Sequence, residues 1–135
     1  MVFIDTNFFL RFFLKDIKDQ YLKAKDIFVK GARRENELIT STIVVFEVFW
    51  VLSSFYHYSR EEVSKIIKNI LKMTFIQINE RFLLLEALDI FDKTNLSLGD
   101  SYDIAFSRAL GIKVFKTFDT KLGKEFEKIV GKKKS

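Results

Sequence analysis

Short apolar segments with the pattern of β-strands alternate with longer segments that have the pattern of helices. The predicted strands are residues 1–4, 38–40, 74–78 and 113–117. The predicted helices are residues 6–14, 20–34, 42–56, 59–71, 79–93, 100–110 and 120–130. Such alternation predicts a parallel sheet that is covered by helices on both faces. In sheets of this kind the functional crevice lies beyond the carboxyl ends of the strands.

Capping signals support several of these helix boundaries. The run Ser59-Arg60-Glu61-Glu62 has the pattern of a capping box. Asn79 is expected to cap the next helix, and Gly111 to end the helix over residues 100–110. Residues 42–56 are rich in β-branched side chains, which also suits a strand. We predict a helix there because the run is too long for a typical strand.

Four acidic residues stand where a sheet of this kind would collect a metal site. Glu47 interrupts the most apolar run of the chain, residues 43–52. A buried, unpaired carboxylate costs several kcal/mol, so Glu47 would need a proton, a cation or a metal ion, unless the helix turns it toward solvent. Asp5 and Asp119 each end an apolar segment, and Asp100 precedes a helical pattern. Carboxylates gathered at one end of a sheet indicate a hard cation such as Mg²⁺ or Mn²⁺.

Composition limits the available chemistry. The chain has 135 residues, which suits one domain with a substantial core. It has no cysteine, so disulfides, zinc–thiolate sites and thiol nucleophiles are excluded. Its single histidine, His57, excludes a His-rich metal site and weakens any histidine-based triad. Acid–base chemistry must therefore come from carboxylates and bound water.

The net charge of +5 is unevenly distributed. Basic residues close the chain at 132–134 and crowd the predicted helix over residues 20–34. Such clusters attract phosphate backbones, although they also serve simply to keep a protein in solution. No targeting leader precedes the first strand pattern, and no apolar run reaches the roughly 18–20 residues of a membrane span. We therefore expect a cytoplasmic protein without a membrane partner.

Four motifs in order resemble those of PIN domains. Phe3-Ile4-Asp5-Thr6-Asn7 is similar to the opening motif, and Ile39-Thr40-Ser41 followed by Glu47 to the second. Residues 98–105 with Gly111 are similar to the third motif, and residues 114–119 to the fourth. Each motif alone is weak, but four in register over nearly the whole chain are specific. The length resembles that of the small VapC-type toxins of toxin–antitoxin pairs.

The resemblance implies a fold, a metal and a set of ligands. The fold would be α/β, a three-layer α/β/α sandwich around a central parallel sheet of four to five strands. The metal would be Mg²⁺ or Mn²⁺, with one or two ions, in a ribonuclease. Its ligands and catalytic residues would be Asp5, Glu47, Asp100 and Asp119. Short polar side chains beside them that would orient ligands or water are Thr6, Asn7, Ser41, Asp103 and Thr117.

Simpler roles exist for several of these residues. Asp100 would also serve as a helix N-cap, and Asp5 and Asp119 as turn residues. Thr6 and Asn7 would equally serve to cap the helix after Asp5. Asp103, one helical turn after Asp100, competes with it for the site, although the spacing to Gly111 favours Asp100. His57, near a helix end, is interpreted as a surface or structural residue.

Two predicted helices, residues 6–14 and 42–56, are apolar on nearly every side. A helix of that kind must be covered all round, either within the core or by a partner protein. Both interpretations stay open for residues 6–14. VapC-like proteins are usually homodimers, and a small antitoxin covers an apolar groove on them. The resemblance therefore implies a homodimer and an antitoxin partner.

The leading functional hypothesis is a metal-dependent endoribonuclease that acts on RNA as the toxin of a type II toxin–antitoxin pair. A housekeeping PIN nuclease for RNA processing or decay is one alternative, and a non-catalytic module that binds RNA or protein is another. A phospho-acceptor receiver domain is rejected, because the third predicted strand ends in Ile78-Asn79 without an acceptor Asp. Residues 1–131 are predicted to form a single PIN-like nuclease domain, and residues 132–135 a basic C-terminal tail.

Overall fold

A computed structural model describes residues 1–131, so the predicted basic tail at 132–135 lies outside the described residues. The chain divides into two compact units, residues 1–81 and the chain from Phe82 onward. The strands are β1 (Val2–Phe3), β2 (Leu38–Thr40) and β3 (Ile76–Ile78). The helices are α1 (Thr6–Leu14), α2 (Lys18–Ala32), α3 (Thr42–Trp50), α4 (Arg60–Leu71), α5 (Arg81–Lys93), α6 (Leu98–Ala109) and α7 (Thr120–Val130). None of these helices is long and apolar enough to cross a membrane.

The sheet belongs to the first unit and is parallel, in the order β1-β2-β3. Val2 pairs with Leu38, and Leu38 pairs with Ile76 on its other side. The prediction of a parallel sheet is confirmed. The predicted number of four to five strands is wrong, because the described residues form a sheet of three strands. Since both pairs of neighbouring strands are parallel, the carboxyl ends of all three strands lie at one edge of the sheet.

Residues 113–117 were expected to add a fourth strand, and this prediction is wrong. The structure assigns no strand to them, and Val114 is 67% exposed. The Phe115 ring instead stacks on Phe126 of α7, with ring centroids 4.7 Å apart. An apolar run supplies side chains suited to a strand, but a strand also needs the backbone of a neighbour, which the sequence pattern cannot reveal.

α1 has the predicted bounds and packs against α2 through aromatic rings. Phe9 and Leu10 are buried. Phe12 lies 5.8 Å from Tyr21 and 5.0 Å from Phe28 between ring centroids. The helix ends at Lys15, which takes the left-handed conformation at φ 55°. α1 thus contributes to the core of the first unit. This agrees with the interpretation that residues 6–14 are covered within the core.

The apolar stretch after Ser41 is helical, which confirms the choice of helix over strand. The Ser41 hydroxyl accepts a hydrogen bond from the Val44 N–H at 3.2 Å and caps α3. The α-helix ends at Trp50 and continues as a π-helical turn, Val51–Phe55. Within that turn the Tyr56 N–H donates to the Val51 carbonyl at 3.1 Å, five residues back. The residues that α3 and the turn bury are Val44, Val45, Val48 and Leu52.

The capping box at Ser59 is confirmed, with both reciprocal hydrogen bonds between Ser59 and Glu62 present. The predicted cap at Asn79 is wrong, because α5 begins only at Arg81, after a turn in which Glu80 takes φ 60°. The Arg81 guanidinium donates to the carbonyls of Leu71, Met73 and Ile76. These bonds satisfy carbonyl groups at the end of α4 and around β3, and fix the chain as it leaves the first unit.

The second unit contains α5, α6 and α7. α6 ends as predicted at Gly111, which takes φ 72°. The Gly111 N–H donates to the Arg108 carbonyl at 3.1 Å, and the Ile112 N–H to the Ser107 carbonyl at 2.9 Å. This pair of bonds is a Schellman motif, and it requires the left-handed conformation that glycine adopts without steric cost. The large side chains buried in this unit include Leu84, Leu88, Phe91, Ile104, Leu122 and Phe126.

Candidate metal centre

Asp5 lies at the sheet edge where functional residues were expected. It follows β1 and caps α1, with its Oδ1 accepting a hydrogen bond from the Thr6 N–H at 2.7 Å. The preceding Ile4 is held to β2 twice. Its N–H donates to the Ile39 carbonyl at 2.8 Å, and its carbonyl accepts from the Thr40 hydroxyl at 2.7 Å. The backbone that carries the Asp5 carboxylate is therefore fixed by the sheet, and its capping role accompanies any other role.

Glu47 is connected to the same place through Thr6. The Thr6 hydroxyl donates to Oε2 of Glu47 at 3.0 Å, across a sequence separation of 41 residues. Thr6 is buried. Its backbone N–H holds the Asp5 carboxylate and its hydroxyl holds the Glu47 carboxylate, so one residue connects the two acids. The structure thus brings together two of the four predicted ligands and one of the predicted orienting residues.

The expectation that Glu47 is buried among apolar neighbours is wrong. The residue is exposed, which is the alternative that the sequence left open. α3 turns Val44, Val45 and Val48 into the core, and Glu47 points away from that face. Since a helix places successive residues about 100° apart, an apolar run can carry one residue to solvent without any burial cost. Glu47 therefore needs no compensating cation to be tolerated.

Asn7 and Ser41 lie close in sequence to these carboxylates but have different surroundings. The Ser41 side chain is used as the N-cap of α3. Asn7 lines a cavity of about 330 Å³ together with Phe8, Arg11, Gln20 and Lys23. Arg11 is held in place there, because its guanidinium forms two hydrogen bonds to Asp16 at 2.8 and 3.0 Å. The cavity places amide and basic groups two residues beyond Asp5.

Asp100 and Asp103 form a second acidic pair, on α6. The N-cap of α6 is Ser97, whose hydroxyl accepts from the Asp100 N–H at 3.1 Å, so the alternative role of Asp100 as N-cap is wrong. Desolvation and the neighbouring negative charge of Asp100 raise the pKa of Asp103. A cation close to this pair would stabilise the ionised form of Asp103, because it would offset the repulsion from the Asp100 carboxylate.

Asp119 is the N-cap of α7, and its Oδ1 accepts from the Leu122 N–H at 3.1 Å. The Asp119 N–H donates to the Thr117 hydroxyl at 3.0 Å. Thr117 therefore orients the backbone of Asp119 rather than its carboxylate. Oδ1 of Asp119 accepts the capping hydrogen bond, so Oδ2 is the oxygen that would bind a metal ion.

The donors are chemically suited to a hard cation, since they are carboxylate and hydroxyl oxygens. Among residues 1–131, however, no three His, Cys, Asp or Glu side chains lie together in a group that would hold a metal ion. The structure shows the pair at Thr6 and the pair on α6, with Asp119 described separately at α7. The predicted meeting of four carboxylates stays a prediction.

Comparison with known protein families matches the PIN domain over residues 2–129. The chain belongs to the PIN domain family. PIN domains have a nuclease-type fold, are generally metal-dependent nucleases that bind RNA, and use divalent ions. A comparison with curated proteins finds no significant match. Family membership therefore supports the hydrolase class.

Sequence reasoning passed over one charged feature of this PIN domain. A groove of about 1000 Å³ lies among α5, α6 and α7, and several lysines line it. The signal was present in the sequence, since Lys121, Lys124 and Lys128 recur at helical spacing. The spacing is less conspicuous in the sequence than the denser basic runs at residues 23–34 and 132–134.

Proposed function

We propose that this protein is a Mg²⁺- or Mn²⁺-dependent endoribonuclease, and that it acts as the toxin of a type II toxin–antitoxin pair. The observation that carries the catalytic part is the hydrogen-bonded unit Asp5–Thr6–Glu47 in a chain of the PIN family. Two carboxylates that share one buried threonine are restrained before any ion binds. That restraint lowers the cost of assembling a metal site.

The proposed ligands are Asp5, Glu47, Asp100 and Asp119. Thr6 holds the first two, the first turn of α6 carries Asp100, and the N-cap position of α7 carries Asp119. Asp103 adds negative charge beside Asp100. A bound divalent ion would supply an activated water and would offset charge on the scissile phosphate. The residues themselves orient that ion, and Asn7 and Arg11 present polar and basic groups close to Asp5.

The experiment is metal-dependent cleavage of structured RNA by wild-type protein and by Asp5→Asn. The variant should lose most of its activity and should bind Mn²⁺ more weakly, because one anionic ligand becomes neutral. The Asn side chain still accepts the hydrogen bond from the Thr6 N–H, so the circular dichroism spectrum should not change. Asp19→Asn, which alters an exposed carboxylate in the first turn of α2, is the matched control.

Wild-type turnover in Asp5→Asn would refute the catalytic assignment. So would cleavage that persists in wild-type protein after chelation of divalent ions. The toxin role has a separate test: expression of active protein should arrest growth, and Asp5→Asn should not. Cleavage without growth arrest would favour the alternative of a housekeeping nuclease for RNA processing or decay.

We propose further that the protein is a homodimer and that a small antitoxin binds it. The supporting observation is apolar surface on α3 and the π-helical turn. Ile43 is 66% exposed, Trp50 is 63% exposed and Phe55 is 70% exposed. Ile43 and Trp50 are seven residues apart, which places them on one face of α3. Large apolar side chains gathered on one face are typical of protein contacts.

A further inference from the structure

The groove among α5, α6 and α7 has the charge of an anion-binding surface. Of its lining residues, five are basic and three are acidic, which gives a local net charge of 5 − 3 = +2. The basic residues are Lys93, Arg108, Lys121, Lys124 and Lys128. The acidic ones are Asp89, Asp92 and Glu125.

The basic groups differ in how far neighbouring carboxylates neutralise them. Lys93 pairs with Asp89 at 3.0 Å, and Lys128 with Glu125 at 3.5 Å. Arg108 pairs with Glu86 at 3.3 Å. Lys121 and Lys124 are exposed and form no ion pair with any residue in the described range 1–131. These two lysines are therefore the side chains whose charge is available to a ligand.

The arrangement along α7 suits a chain of phosphates better than a single anion. Lys121, Lys124 and Lys128 follow one face of the helix and span about 10 Å, at 1.5 Å per residue. Nucleotides of a stacked strand rise by about 3.4 Å each, so this length matches about three of them. Asn95 and Thr120 add neutral polar groups along the lining.

The groove also begins next to a proposed metal ligand. Thr120, the first residue of α7, lines it and directly follows Asp119. A strand whose scissile phosphate lay at Asp119 would continue along the lysine face of α7. The groove is thus placed to hold RNA on one side of the cut.

We infer that this groove binds about three nucleotides of single-stranded RNA through their phosphates, as an extension of the cleavage site. The inference rests on the proposed ribonuclease function for its biological meaning, but its binding step does not require catalysis. The contacts are phosphate contacts, so they position the strand without selecting its sequence.

The test is a binding measurement in the presence of a chelator, so that no cleavage occurs. A fluorescently labelled 12-nucleotide oligouridine is titrated with wild-type protein and with the double variant Lys121→Ala/Lys124→Ala, and its anisotropy is followed. The control is Lys65→Ala/Lys72→Ala, which removes the same charge from exposed positions on α4 and just after it. Circular dichroism spectra of both variants are compared with the wild-type spectrum to check that the variants are folded.

Each lost contact to a single strand should reduce the slope of log K against log salt by about 0.7. Two contacts change the slope by about 1.4, which corresponds to roughly 20-fold weaker binding at about 0.1 M salt. The α4 control should stay within about twofold of wild type, because neither Lys65 nor Lys72 lines the groove.

Equal loss in both double variants would overturn the inference, since net charge alone would then explain the binding. Unchanged binding in the α7 variant would overturn it as well. A parallel titration with a labelled acidic peptide gives the third such outcome: if the α7 variant keeps RNA binding but loses peptide binding, the groove serves a protein partner. Failure of the cleavage proposal has a different signature, because wild-type protein would then bind RNA through α7 without cutting it when metal is added.

Discussion

Replacement of Thr6 by valine tests whether the restrained carboxylate pair is a metal site. Valine has nearly the same shape as threonine, so the buried position stays filled. The substitution removes the hydroxyl that donates to Glu47 at 3.0 Å. It keeps the backbone N–H that donates to Asp5, so Asp5 should not move. Only the orientation of Glu47 is lost.

The size of the effect follows from that one hydrogen bond. A bond to a charged group contributes about 1.5–3 kcal/mol, and the exposure of Glu47 places this one at or below the lower end. A loss of about 1–1.5 kcal/mol corresponds to roughly 5- to 13-fold weaker metal binding. That range overlaps the lower end of the roughly 10–100-fold cost typical of groups that orient metal ligands.

Mn²⁺ binding by calorimetry at neutral pH, without RNA, measures the effect. Thr42→Val is the matched control, because the Thr42 hydroxyl also donates to a carboxylate, Glu80, at 3.0 Å. Glu80 is not a proposed ligand, so this control should keep the wild-type affinity. If Thr6→Val binds Mn²⁺ as tightly as wild type, Glu47 is not a ligand held by Thr6. Equal weakening in both variants would mean that general destabilisation is being measured.

Two further predictions concern stability and assembly. Arg81→Met should lower the free energy of unfolding by about 2–3 kcal/mol in urea titrations, because carbonyls of Leu71, Met73 and Ile76 lose a charged donor. Arg108→Met, whose guanidinium bonds to an exposed carboxylate, should cost less than about 1 kcal/mol, and an equal cost would contradict the reasoning. Light scattering at micromolar concentration should give the mass of a dimer for wild type and of a monomer for Trp50→Lys; a monomeric wild type would refute the dimer.

Local capping chemistry made several boundaries predictable. The Ser59 capping box and the glycine end of α6 are both where the sequence placed them. Each depends on hydrogen bonds within a few residues, so the necessary information is present in a short stretch of chain. The predicted cap at Asn79 was wrong because residues 79 and 80 form a turn, in which Glu80 takes the left-handed conformation, and α5 begins only after it.

The features that sequence could not provide depend on distant partners. Residues 113–117 have the composition of a strand, but pairing with a neighbouring backbone decides whether a strand forms. The exposure of Glu47 depends on which face of α3 meets the core, and one long apolar run does not specify that face. The sequence placed Thr6 and Glu47 in one site, but their hydrogen bond spans 41 residues and was not predicted. Its identity as a metal site is still a proposal.

The π-helical turn after α3 has a consequence for how this part of the chain tolerates changes in length. Its wider hydrogen-bonded ring accommodates one residue more than an α-helix would at the same place. Deletion of Ser53 or Ser54 would allow the α-helical pattern to continue without interruption. Residues before the turn, including Glu47, and the exposed ring of Phe55 at its end would keep their directions, because an α-helix covers the same arc with one residue fewer. The turn is therefore the place in this helix where the chain can lose one residue without redirecting the exposed apolar side chains on either side of it.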